Sequence, residues 1–251
     1  MPAGIGIGQI VGLVRAVRGA EGAALRITIS GSWAEDLAVA LAAGGDRAAV
    51  VVDGDPATAA IALLLIEGDP NQAERAVLRR LGKEQALVIV VRRGGSERIP
   101  HVLADDVVDV QVEEGIGAIA AAIARAAGAD GPSLAARLPV LRAPVSRRLV
   151  ATTAFANAAL AASSRVVHPQ LPLLALAQTR MLLLLGVTRG ETLPRDPQGL
   201  LRAAGPYLVA AVGTGIGARA CVRRLPFAGS IVRAGVAYGG TRALGTAFSR
   251  R

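Results

Sequence analysis

The first half of the chain alternates short apolar runs with segments of helical spacing. The runs are Leu25–Ile29, Ala48–Val52, Ile61–Ile66, Leu87–Val91 and Val107–Val112, and helical patterns fill 33–43, 70–82 and 116–127 between most of them. Runs this short, and this rich in Val, Ile and Leu, read as strands buried on both faces. Their alternation with helices predicts a doubly wound, mostly parallel sheet. One interval breaks the rhythm. Eight residues separate Val52 from Ile61, against the ~10–12 of an ordinary crossover. These two strands therefore either pair antiparallel or enclose a single helical turn. Ahead of the sheet, residues 9–18 put Ile10, Leu13, Val14 and Val17 on one helical face. These residues are expected to form a docked helix within an N-terminal amphipathic segment, 1–24.

The pattern changes after residue 129. Residues 130–148 carry Pro132, Pro139 and Pro144 among glycines and arginines, the composition of a linker. Four apolar helical stretches follow at about 147–167, 173–187, 199–224 and 227–248, separated by Pro169/Pro172, Pro194/Pro197 and Pro226. They predict an all-α, Gly/Ala-rich bundle over 149–251. The division is thus an N-terminal segment 1–24, an α/β domain 25–129, a linker 130–148 and a helical domain 149–251. The longest uncharged, proline-free run, Leu149–Ser164, has sixteen residues, short of the ~20 needed to cross a bilayer. Gly213, Gly217, Gly235, Gly239 and Gly245 have the spacing that lets helices approach backbone to backbone.

Charge separates the halves further. Residues 1–142 carry a balance of −3, whereas 143–251 hold 14 arginines against Glu191 and Asp196, a balance of +12. A half so basic and so apolar suits an anionic membrane surface or a membrane protein. With aromatics at 2% of the chain, stacking on bases has little to work with, so no nucleic acid is expected. Arg219, Arg223, Arg224, Arg233 and Arg242 recur near helical spacing without acidic neighbours and are the candidate membrane or partner contacts; a solvated helix face is the plainer alternative. The single cysteine, Cys221, excludes a disulfide framework and a cysteine-based metal site. The start, Met1-Pro2-Ala3-Gly4, has no basic region of a secretory signal, so a cytoplasmic location at the inner face of the membrane is expected.

Catalytic chemistry finds few parts. A phosphate-binding loop needs G-x-x-x-x-G-K-[ST], because glycine amides wrap the phosphates while lysine and a hydroxyl serve charge and Mg²⁺. After the first strand the chain reads Gly31-Ser32-Trp33-Ala34-Glu35-Asp36, and its only lysine is Lys83. Ser32-x-x-Glu35 reads as a capping box, and Glu35 and Asp36 bring negative charge where phosphate would sit. Asp69-Pro70 reads as a cap with proline at the first helical position. Where a guanine-reading loop would offer Asn and Asp, the chain has Arg92-Arg93-Gly94-Gly95-Ser96. Asp53-Gly54-Asp55-Pro56 and Glu67-Gly68-Asp69-Pro70 are turn signals before they are Mg²⁺ ligands. His101 and His168 stand alone in different halves, too few for a hydrolytic triad or a zinc site. The glycines at 4, 6, 8 and at 213, 215, 217 do not follow strands, so neither set is a dinucleotide fingerprint. No catalytic residue, metal or cofactor is expected.

A family resemblance rests on other residues. Leu134–Arg142 (LAARLPVLR), Leu171-Pro172, Gln178-Thr179-Arg180-Met181, Gly186, Gly217-Ala218-Arg219, Pro226–Gly229 and the closing Ala237-Tyr238-Gly239-Gly240-Thr241-Arg242-Ala243-Leu244-Gly245 together resemble a bacterial helical domain of unknown function found with Era-like GTPases. Some of its relatives carry membrane-embedded helices. The likeness covers about 95–248, and the N-terminal half is similar in layout to a GTPase domain. It implies a degenerate, P-loop-less GTPase-like scaffold; the family supplies no active site to carry over. The expected function is a non-catalytic, membrane-associated or regulatory scaffold. The alternatives are a GTP- or ATP-binding protein or hydrolase with an unconventional site, and a soluble oligomerising module.

Overall fold

The computed structural model describes residues 25–84, 86–110, 115–163, 171–192 and 230–249, with a few isolated positions besides. Most of segment 1–24, most of the 199–224 stretch, Gly217, Cys221, His168 and the candidate contacts Arg219, Arg223 and Arg224 lie outside them. The chain divides into two compact units, one of residues 23–145 and one of 1–22 with 146–251.

The first unit is α/β. Strands β1 (Ile27–Ser30), β2 (Val50–Val52), β3 (Ile61–Glu67), β4 (Val88–Arg93) and β5 (Val107–Asp109) form a five-stranded sheet of order β2-β1-β3-β4-β5. Every pairing is parallel. β2 and β3 are not neighbours, since both pair with β1. The antiparallel alternative for them therefore falls, and the single-turn alternative holds: a 3-10 turn, Pro56–Thr58, fills the connection. Buried Thr28 on β1 donates its hydroxyl to the Gly54 carbonyl at 3.1 Å and so helps fix that tight passage.

Alternation along the strands sends Ile27, Ile29, Leu63, Leu65, Ile89 and Val91 into the larger core. Helices α1 (Ala34–Ala42) and α3 (Gly115–Ala126) close it with Leu37, Leu41, Ile119 and Ile123. The intervening residues Leu64, Ile66 and Val90 join Leu78 of helix α2 (Gln72–Lys83) in a smaller cluster. Residues 130–148, expected as a linker, are folded. Helix α4 (Gly131–Arg137) and the start of α5 (Arg142–Ser163) occupy them, and Leu134, Leu138, Leu141 and Val145 are buried in the larger core. Pro132 and Pro139 open a helix and a 3-10 turn. A missing N–H costs nothing at such positions, so these prolines start structure instead of interrupting it. Arg137 anchors the segment through two bonds to Asp46, at 2.9 and 2.7 Å. That contact holds the Asp46 carboxyl below its ordinary value.

The second unit is mostly helical at its described residues, with α5, α6 (Leu171–Thr188) and α7 (Ser230–Ser249). Val150, Met181, Leu182 and Leu185 pack with Leu244 and Phe248. A side chain at Gly245 would stand 2.5 Å from Val150, so glycine there is required by close approach. Gly235 and Gly239 are exposed and do not make such a contact. A polar knot lies among the apolar residues. Asn157 and Gln178 each donate an amide N–H to the hydroxyl oxygen of fully buried Thr241, at 3.0 Å. No described helix is long and apolar enough to cross a membrane.

Candidate functional site

In a parallel α/β sheet, ligands bind beyond the carboxyl ends of the strands, where the order reverses. Here that point lies between β1 and β3. β1 runs into Gly31, whose φ is +132° and whose missing side chain would collide with the Leu65 backbone oxygen at 2.5 Å. Only glycine lets the chain turn so close to β3. The next residue crosses the crevice: the Ser32 hydroxyl donates to Glu67 Oε1 at 3.1 Å.

The capping box expected at Ser32 and Glu35 does not form. α1 begins one residue later, with Trp33 in the cap position and no side-chain cap. That shift breaks the i to i+3 spacing, and Glu35 instead accepts from Arg47 at 2.9 Å. A side-chain cap therefore does not account for the missing phosphate site. What opposes an anion is the pair Glu35 and Asp36 in the first turn of α1. Above them, the Arg93 guanidinium lies 3.8 Å from the centre of the Trp33 ring. The loop after β1 thus carries an indole stacked against an arginine.

The adjoining loops are cross-tied. Asp69 is not the cap of α2, as expected. The capping box belongs to Asn71 and Glu74, because Pro70 supplies the extended step before the helix and not its first position. Asp69 turns away and accepts from the amides of Ser96 and Glu97, both at 2.9 Å. Those amides, with Arg92 and Arg75 nearby, hold its carboxyl below the ordinary value. Arg92 is buried and donates to Asp109 at 2.6 Å and to the Glu97 carbonyl at 2.7 Å. The bond to Asp109 raises its already high pKa. The loop after β4 is thus tied to Asp69 and Asp109 by its own side chains and amides.

Both acidic turns are committed to structure in part. Glu67 serves Ser32 and Asp69 serves the 96–97 amides, while Asp53 adopts a left-handed φ of +50° with its N–H bonded to the Ile29 carbonyl. Among the described residues no three His, Cys, Asp or Glu gather as a metal site. His101 is an exposed turn residue with φ of +65°. It borders a cavity of about 210 Å³ with Gly82, Leu87 and Asp106 at the amino end of β4, away from the crevice. Of the candidate contacts, Arg233 is half-buried, and exposed Arg242 donates to the Tyr238 hydroxyl one helical turn away at 2.9 Å.

Sequence reasoning missed the Ser32–Glu67 bridge, the Trp33–Arg93 stack and the Asp69 clasp. A signal existed for the second: the chain's single tryptophan sits at the one loop where a phosphate would need open backbone. The fold and this edge define a parallel α/β protein of order 2-1-3-4-5 whose switch point is bridged by its own side chains. No family model, curated protein or solved structure matches the chain.

Proposed function

We propose that the chain is a non-catalytic scaffold, a GTPase-like α/β domain without nucleotide chemistry joined to a basic helical half that docks on an anionic membrane surface at the cytoplasmic face. The observation that carries the first part is the Ser32–Glu67 bridge across the switch point, with Trp33 and Arg93 stacked beside it. Phosphoryl transfer depends on positioning and on charge stabilisation by lysine, glycine amides and Mg²⁺, and this edge offers acidic residues and an indole in their place. The strand order also suits other doubly wound proteins; the GTPase-like label rests on the motif resemblance and layout. The second part rests on the +12 balance of residues 143–251.

Two measurements test it. A ligand that prefers the native state must raise the melting temperature, by about 2.7 kcal/mol of stability at a hundredfold excess over Kd. No rise is expected with GTP or ATP and Mg²⁺; a saturable rise would restore the nucleotide-hydrolase reading. In fractionation, release from membranes by salt alone would indicate arginine–headgroup attraction, and retention through carbonate would indicate insertion. Recovery only in the soluble fraction would end the membrane reading and leave an oligomerising module.

A further inference from the structure

The outward face of α5 has an unusual make-up for an exposed helix. Arg148, Ala151, Thr152, Phe155, Ala156, Ala159 and Ser163 recur at three- and four-residue steps and are all exposed. Phe155 stands 72% exposed at the middle. From Leu149 to Ser163 the helix carries no charge on any side. An exposed helix face ordinarily shows charged residues to water. Its two hydroxyls bond the helix's own backbone instead. The Thr152 hydroxyl donates to the Arg148 carbonyl at 2.9 Å and to that of Leu149 at 3.2 Å, and the Ser163 hydroxyl donates to Leu160 at 3.0 Å. Their hydroxyl donors are satisfied without water, which lowers the cost of an apolar surrounding.

Charge decides the occupant. Exposed Arg147 and Arg148 lie at one end of this face, about 10 Å along the axis from Phe155. No acidic residue occurs anywhere between 143 and 190. A parallel second copy would set arginine beside arginine, and an antiparallel one would offer the arginines no acidic partner on this helix, whereas anionic headgroups complement them. We propose that the outer face of α5 enters the headgroup layer of an anionic lipid surface, with Phe155 as the inserted side chain and Arg147 and Arg148 on the phosphates. The proposal rests on the membrane-docking reading above and names the surface that does it. Insertion is shallow, by one face and not by spanning.

The test uses the full chain and vesicles of phosphatidylcholine, with and without phosphatidylglycerol. Binding to the anionic vesicles is expected, with Phe155→Ala lowering partitioning at least about tenfold while circular dichroism and melting temperature stay unchanged. In Phe155→Trp the added tryptophan emission shifts to the blue and is quenched by brominated lipid; buried Trp33 serves as the unshifted background. If the parent chain binds anionic vesicles but Phe155→Ala binds equally and Phe155→Trp neither shifts nor quenches, this face is wrong and docking uses another. If the parent chain ignores anionic vesicles, the docking reading fails together with the proposal.

Discussion

The two units treat polarity in opposite ways. In the α/β unit, charge is answered by charge: six of the seven ion pairs among the described residues join partners within it, and the buried Arg92 belongs to two of these. In the helical unit the buried polar residues among the described ones are neutral, as in Asn157, Gln178 and Thr241, and Arg189–Glu191 is its one ion pair among the described residues. The difference separates two uses of arginine. Where it closes loops, as at Arg92 and Arg137, it is committed to the fold. Where it is exposed in the helical unit, as at Arg147, Arg148 and Arg180, no carboxylate among the described residues pairs with it.

Perturbing each kind of interior is the direct way to break that contrast. Thr241→Val should cost the most, about 3 kcal/mol in urea unfolding, because two buried amides lose the oxygen they share. The loss should be the same at low and high salt, since no ion is involved; a salt-sensitive loss would mean the helical interior is not neutral. Arg92→Leu should cost about 2 kcal/mol, less than a fully buried pair would, because Asp109 is 64% exposed and can be rehydrated. This loss should appear in Trp33 fluorescence, the reporter of the α/β unit.

Acid should also distinguish the units. Asp46 and Asp69 have lowered values in the folded chain. Their contribution is complete above the ordinary aspartate value and fades as pH falls through the lowered ones. Trp33 fluorescence during acid titration should therefore report weakening of the α/β unit. In Asp69→Asn that part of the pH dependence should shrink, and an unchanged profile would remove the clasp from the account. The smallest effect is expected from Ser32→Ala, below about 1 kcal/mol, since its bond to Glu67 is exposed. Its use is diagnostic: Ser32→Ala should still give no melting shift with GTP, because Glu35, Asp36 and the Trp33–Arg93 stack remain.

The five strands and the helices α1, α2, α3, α5, α6 and α7 were legible to within about five residues because apolar periodicity is a local property. The order β2-β1-β3 was less so, since a short connection is compatible with two pairings until β1 is seen between them. Around the crevice, residue types were informative and geometry was not. Ser32 and Glu35 have the right spacing for a capping box, but a start of α1 one residue later redirects both side chains, and no local pattern encodes that step. Asp69 was misjudged for the same reason, as its amide partners lie 27 and 28 residues away. The prolines of 130–148 read as interruption because composition alone does not reveal that Leu134 and Leu138 complete a core built by residues a hundred positions earlier.

That last feature has a consequence in the order of synthesis. The Asp46–Arg137 clasp closes a loop of 91 residues, and Leu134, Leu138 and Leu141 seal the larger core from the same segment. On a ribosome adding about 5–20 residues per second, all five strands emerge seconds before the piece that shuts them in. During that interval the nascent sheet presents an open apolar seam, and a message cut short after residue 129 would release it in that state. Protease sensitivity of stalled chains should therefore fall between lengths that expose residue 129 and lengths that expose residue 145, well before the helical unit is complete.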